Sequence, residues 1–241
     1  MRDYAKELEN RVAFIQKIVA DAKVKGIVFP NSGGKDATLT GILCKKACAD
    51  TVGVILPCGI KQNYENDKIH AELVGKQFDI THRMIDLLPA RDALLQGLGD
   101  ISPTALAYIA SRLRMTTVYA IANSENRLVA GTGNRSEAYM GYFTKWGDGS
   151  YDFNPIGDLT VTEVLAFLRF LNAPEVIINK APSAGLFEGQ TDEKEMGITY
   201  RSLDDFLIKG KTDPADEAVI RRFHEGSEHK RRPPIVYGAT Q

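Results

Sequence analysis

The segment that most constrains this chain is a junction near its start. A short, wholly apolar run, GIVFP (26–30), passes directly into Asn31-Ser32-Gly33-Gly34-Lys35-Asp36-Ala37 and then into ATLTGILCKKACA, which has helical spacing. A strand with no polar alternation is suited to burial on both faces, as in a parallel sheet covered by helices. TVGVILP (51–57) and RLVAGT (127–132) repeat the pattern, and a weaker strand is expected near Ile80–Ile85. Helical stretches at 65–77 and 104–123 lie between them, and Leu8, Val12, Ile15, Ile18 and Val19 mark an amphipathic helix ahead of the first strand. Strands alternating with helices predict an α/β fold, a doubly wound parallel sheet with helices on both faces.

The junction also carries chemistry. Two adjacent glycines allow a tight turn and bring backbone N–H groups close to an anion, and the helix that follows adds its positive end. The position is the carboxyl end of a strand, where open α/β sheets bind ligands. The loop is not a Walker A motif, because Lys35 is followed by Asp36 rather than Ser or Thr, and there is no G-x-G-x-x-G. Two roles are open to Asp36. It ligates a Mg²⁺ that bridges bound phosphates, or it caps the helix.

From residue 133 the chain loses its periodicity. GNRSEAYMGYFTKWGDGSYDFNPIGD mixes glycine, asparagine, aromatics and charge; a helix is expected from Thr160, where Thr160 and Glu163 have capping-box spacing. KAPSAGLFEGQTDEKEMG is again irregular, and DEAVIRRF is helical in pattern before a basic, proline-containing tail. Long irregular stretches in a compact fold are usually functional. With no repeat or linker, the chain reads as a single domain spanning 1–241.

Composition removes several function classes. Thirty Lys+Arg against 31 Asp+Glu leave a net charge of −1, which gives no general electrostatic hold on nucleic acid or on a membrane surface. No apolar run approaches the ~20 residues needed to cross a bilayer, and the charged N-terminus has no signal-peptide core. Three cysteines, Cys44, Cys48 and Cys58, make no C-x-x-C pair and read as reduced structural thiols, pointing to a cytoplasmic setting.

The strand-S-G-G-x-D junction resembles the pyrophosphate loop of the ATP pyrophosphatases, which activate a carboxylate or carbonyl as its adenylate. GTGNRSE (131–137), GYFTKWGDGSYDFNPI (141–156), KAPSAGLFEGQTDEKEMGITY (180–200) and EHKRRPP (228–234) resemble, in order, the NAD synthetase family. The loop begins by residue 30, which resembles the short, ammonia-dependent form. The resemblance implies a Rossmann-like, adenine nucleotide alpha-hydrolase-like fold. It implies a C–N ligase that uses ATP, Mg²⁺ and ammonia to turn nicotinic acid adenine dinucleotide (deamido-NAD) into NAD. It further implies a homodimer.

Residue by residue, the resemblance implies ATP contacts at Pro30, Asn31, Ser32, Gly33, Gly34, Lys35, Asp36, Ala37, Thr132 and Ser183. It implies magnesium ligands at Asp36 and Glu137. Contacts to the dinucleotide fall at Arg112, Lys145, Asp152, His229 and Lys230. Ala37 stands where the family usually has Ser, Val161 where it often has Lys, and Ala107-Tyr108 where Gly-Asn is common; Lys35 or Lys180 are candidates for the missing charge.

The residue types suit that chemistry. Paired carboxylates hold a cation against phosphates, arginine forks onto a pyrophosphate, and no side-chain nucleophile is required. Each residue also has a plainer reading. Arg112 and Arg114 fit a solvated helix face, Glu137 a helix start, and 229–232 a basic tail. A tRNA-modifying relative would call for a more basic surface, and a non-catalytic nucleotide-binding module would have less reason to keep Asp36, Glu137, Arg112 and Lys145 together. An adenylate must be kept from water, so residues 183–195 and 224–232 are expected to order only over bound ligands.

Overall fold

The computed structural model describes residues 2–59, 64–180 and 191–238. Helix α1 (Tyr4–Ala22) is capped by the Asp3 carboxylate, which accepts the Ala5 and Lys6 N–H groups. Strand β1 (Gly26–Pro30) leads into α2 (Lys35–Ala47), β2 (Thr51–Ile55), α3 (Asn66–Phe78) and β3 (Thr81–Met84). Helices α4 (Leu88–Leu98) and α5 (Pro103–Glu125) then precede β4 (Arg127–Val129). The strands are parallel and ordered β3-β2-β1-β4, with Val28 opposite Val52 on one side and Val129 on the other.

The apolar run of β1 is explained by its two faces. Ile27 and Phe29 pack with Ile15 of α1 and with Leu39, Ile42 and Leu43 of α2. Val28 faces the opposite layer, where Val52 and Val54 meet Met115, Val118 and Ala122 of α5. This is the expected doubly wound sheet. Phe29 is 1% exposed, and its truncation to Ala would cost about 3–5 kcal/mol. Helix α2 is buried on nearly every side between α1 and the sheet, which accounts for its weak amphipathic pattern.

The chain winds outward from β1 to β3, and α5 carries it back to β4 on the other flank of β1. The winding therefore reverses between β1 and β4, and the crevice at their carboxyl ends is where such sheets take ligands. Pairing stops short of the expected ends: β2 ends at Ile55 and β4 at Val129, with Ala130 bridging only to Phe153.

Beyond the sheet lie α6 (Arg135–Met140), α7 (Val161–Phe170), α8 (Glu175–Ile178), α9 (Asp192–Met196), α10 (Tyr200–Lys209), α11 (Pro214–Gly226) and α12 (Glu228–Arg231). Met140, Val161, Met196, Leu203 and Ile220 form a further apolar cluster that fixes α6, α7 and α9–α11 over the crevice. Helix α7 starts with the expected Thr160–Glu163 capping box. Several helices escape the sequence pattern, α4 and α6 among them. Helix α4 buries none of its residues and leaves Leu94 and Leu98 exposed, and Asp86, ahead of it, accepts the Leu88 N–H at 2.9 Å. Helix α6 is six residues long, too short to set a period.

Candidate active site

After β1, Asn31 Oδ1 accepts the Gly33 N–H at 3.0 Å and closes a short turn. Gly33 has φ +65°, and a β-carbon there would collide with the Asp67 carbonyl, so this is the position that demands glycine. Gly34 is different. Its backbone is extended (φ −91°), its nearest obstacle to a β-carbon is Ser32 Oγ at 3.3 Å, and it opens α2 as the N-cap residue. Backbone strain on substitution therefore belongs to Gly33; a side chain on Gly34 would intrude on the site instead. No side chain caps α2, which leaves its first N–H groups available to an anion.

Beside this helix end, Lys35 Nζ pairs with Asp36 Oδ2 at 2.9 Å, and Asn134 Nδ2 donates to Asp36 Oδ1 at 3.1 Å. Asn134 also accepts the Glu137 N–H at 3.0 Å, while Glu137 Oε2 accepts the Asn134 N–H at 3.1 Å. Glu137 thus fills the plainer role, capping α6, and is simultaneously joined through Asn134 to Asp36. Burial, followed by the charge of Asp36, pushes the Glu137 carboxyl well above the usual carboxylate range, against the pull of Lys35. Burial disfavours the Lys35 charge, but Asp36, Glu137 and Asp192 outweigh it and raise Lys35 above the ordinary lysine value. Asp192 on α9 accepts the Tyr200 hydroxyl at 2.9 Å, and Lys35 Nζ lies 5.6 Å from the Tyr200 ring centroid.

Lys35, Asp36, Glu137 and Asp192 wall a cavity of about 590 Å³ at the switch point. It is lined by the whole loop 30–37 except Gly33, and by Thr132, Glu137 and Lys230. Ser183 lies outside the described residues. Val161 is 3% exposed in the apolar cluster, whereas Lys35 and Lys180 both line the cavity, Lys180 paired with Asp67 at 2.7 Å.

The other expected substrate contacts stand outside that lining. The Arg112 guanidinium donates to the Lys145 carbonyl at 3.3 Å. Lys145 Nζ donates to the carbonyls of His229 and Arg232. Arg112, Lys145 and His229 are thus brought together, but as a bracket on the cavity's outer side. Lys230 reaches inward, donating to the carbonyls of Gly141 and Phe143 at 2.8 and 2.9 Å beside the Tyr108 and Phe143 rings. Asp152 is separate from all of these: it accepts the Val129 N–H at 2.7 Å and the Tyr119 hydroxyl at 3.3 Å, fastening its segment to β4. Residues 224–232, expected to order only over ligand, are largely helical and held by hydrogen bonds.

Sequence reasoning missed Asn134, Asp192 and Arg114 as parts of this site. Arg114 donates to the Leu56 carbonyl at 3.0 Å and lines the cavity, where burial lowers its pKa. A signal was present: Arg114 shares the stripe of Ser111, Met115, Val118 and Ala122 at helical spacing, whereas Arg112 falls off it.

The family model described as NAD synthase matches residues 7–234, and this chain belongs to that family. An NH3-dependent NAD+ synthetase from Carboxydothermus hydrogenoformans is 41% identical over 240 residues, 97% of this chain and 98% of the relative. The solved structure titled NMN synthetase, from Francisella tularensis, superposes with TM-score 0.94 at 34% identity, covering 99% of this chain and 100% of that one. An NH3-dependent NAD synthetase from Campylobacter jejuni gives TM-score 0.82 at 27% identity, covering 98% and 99%.

Proposed function

We propose that this chain is an ammonia-dependent ligase that converts the carboxylate of deamido-NAD into the amide of NAD, turning ATP into AMP and pyrophosphate, the final step of NAD biosynthesis. The observation that carries the reading is the hydrogen-bonded unit of Asp36, Asn134 and Glu137 beside the uncapped start of α2, at the point where the sheet reverses. The names and full-length similarity of its relatives support it.

In the first step a carboxylate oxygen of the substrate attacks the α-phosphorus of ATP, the bond to the bridging oxygen breaks, and pyrophosphate leaves. In the second, the ammonia lone pair attacks the acyl carbon of the adenylate, AMP leaves, and a proton passes to solvent. The chain's part is positioning and charge. The N–H groups opening α2 hold the triphosphate, with Lys35 and Lys180 adding positive charge to the walls. Lys230 and the bracket of Arg112 and Lys145 meet the substrate pyrophosphate. Helix α12, behind Lys230, keeps water from the adenylate.

Asp36 and Glu137 fit Mg²⁺. The ion usually takes one or two carboxylates and completes its shell with phosphate oxygens and water, and a bound cation would offset the burial and the Asp36 charge that raise Glu137, adding to the pull of Lys35. Among the described residues no group of three or more His, Cys, Asp or Glu side chains could hold a metal, so phosphate would complete this shell. When bound, the ion offsets the triphosphate charge and polarises the α-phosphoryl group.

A homodimer is supported by α4, which buries none of its own residues and leaves Leu94 and Leu98 exposed. Three free thiols fit a reducing, cytoplasmic setting. A second substrate reading, the nicotinic acid mononucleotide, is favoured by the 0.94 TM-score to the Francisella NMN synthetase. Incubation with ATP, Mg²⁺, ammonium and either nucleotide tests both: the amide, AMP and pyrophosphate should form in equal amounts, faster from the true substrate. Absence of amide from both nucleotides would overturn the assignment.

A further inference from the structure

The phosphate loop is braced from behind by a histidine that the chemistry above does not use. Because Asn31 Oδ1 accepts the Gly33 N–H, the amide is oriented with Nδ2 turned away from the loop, and Nδ2 lies 2.7 Å from His82 Nε2. An amide nitrogen only donates, so Nε2 must be the acceptor, and the ring is neutral with its proton on Nδ1. The backbone makes room for this ring. A β-carbon at Gly53 on β2 would come within 2.7 Å of the imidazole, and one at Gly75 on α3 would collide with its other edge. The histidine on β3 therefore sits in a slot between strand and helix, aimed at the turn that presents α2.

We propose that His82 is a positioning residue of the ATP site: as a neutral acceptor it holds Asn31, and through Asn31 the Gly33 turn, in the shape that offers the α2 N–H groups to the triphosphate. The proposal rests on loop 30–37 binding ATP. Protonation would set a second donor against Asn31 Nδ2 and release the brace. Burial lowers His82 below its ordinary 6.5, and Glu72 on α3 is the charge that opposes this. Strands β1 and β2 contain no ionisable residue, Lys35 and Asp36 of the loop pair with each other, and Arg83 beside His82 pairs with Glu125. The neutral form is favoured in the fold, so the brace is intact above pH 6.5 and is lost as pH falls through the lowered His82 value.

The experiment is steady-state kinetics in ATP from pH 8 to 5 on wild type, His82→Leu, His82→Gln and Gly34→Val. His82→Leu removes the acceptor and should raise KM for ATP about tenfold at neutral pH, leaving kcat within about twofold. His82→Gln supplies an oxygen acceptor that cannot take up a proton. It should restore KM and remove the part of the acid-side rise that wild type shows beyond the protonation of ATP itself. A wild-type KM in His82→Leu, or an acid limb in His82→Gln that matches wild type, would overturn the proposal. If His82→Leu does not fold, the acid limb of His82→Gln decides alone. Gly34→Val separates the two claims. If it abolishes ATP binding while the His82 variants behave as wild type, the loop reading stands and the brace falls. Normal ATP binding in Gly34→Val would overturn both.

Discussion

At the loop end of the site, Lys35, Asp36, Asn134 and Glu137 satisfy one another at 2.9–3.1 Å around the start of α2. At the tail end, Arg112, Lys145 and Lys230 are held chiefly by main-chain carbonyls of 141–145 and 229–232. The two arrangements make different demands. A buried network of charges tolerates no missing member, because each loss leaves a partner unpaired in a medium that screens poorly. Cations on carbonyls near solvent can exchange those carbonyls for a substrate phosphate at little cost, because water solvates the abandoned oxygens. On the proposed reading, the first end would be preformed for a triphosphate, and the second would release its cations when the other substrate arrives.

The largest effect that sharpens this contrast is expected at Gly34. Gly34→Val should abolish ATP binding in calorimetry with little change in melting temperature, because Gly34 lines the cavity and its φ is ordinary. Unchanged affinity would reduce the loop to a turn. Next come Asp36→Asn and Glu137→Gln, each expected to lower turnover at least tenfold with partial rescue by added Mg²⁺. Glutamine still serves the third position of a capping box, so Glu137→Gln should keep the wild-type melting temperature, and a collapse of stability would make Glu137 a structural cap only.

At the tail end, Lys145→Ala should raise KM for the nicotinate nucleotide about tenfold and leave ATP affinity unchanged. Equal loss of both affinities would erase the distinction between the ends. The smallest effect lies away from the site, where Arg83 and Arg127 hold Glu125 down to about 2. That group adds stability above its ordinary 4.5, lost as pH falls from there toward about 2; it is only partly buried at the surface, so the contribution is about 1 kcal/mol or less. Glu125→Gln should change acid unfolding slightly and ATP binding not at all.

The same two ends differ in how far they could be read from the chain. Strands β1, β2 and β4 and the loop at 30–37 were legible because local rules govern them: an unbroken apolar run, a glycine pair, a helix start. The Thr160–Glu163 cap was legible for the same reason. Helix α4 was not, because it buries nothing and sequence periodicity reports burial. The division of labour between Arg112 and Arg114 could be read only by weighing the α5 stripe above the charge of its members. Asp192 and His82 carry no local signal. Each acts through a partner distant in sequence, Lys35 for one and Asn31 for the other, and only the fold brings them together.

The central claim is that the substrate carboxylate is activated by adenylation at this crevice and then taken by ammonia. The most direct test uses a nicotinate nucleotide labelled with ¹⁸O in its carboxylate, together with ATP, Mg²⁺ and ammonium, followed by mass spectrometry of the products. Adenylation predicts amide product and AMP that carries one carboxylate-derived ¹⁸O, with unlabelled pyrophosphate. Label in phosphate or pyrophosphate, or amide formed with unlabelled AMP, would contradict it.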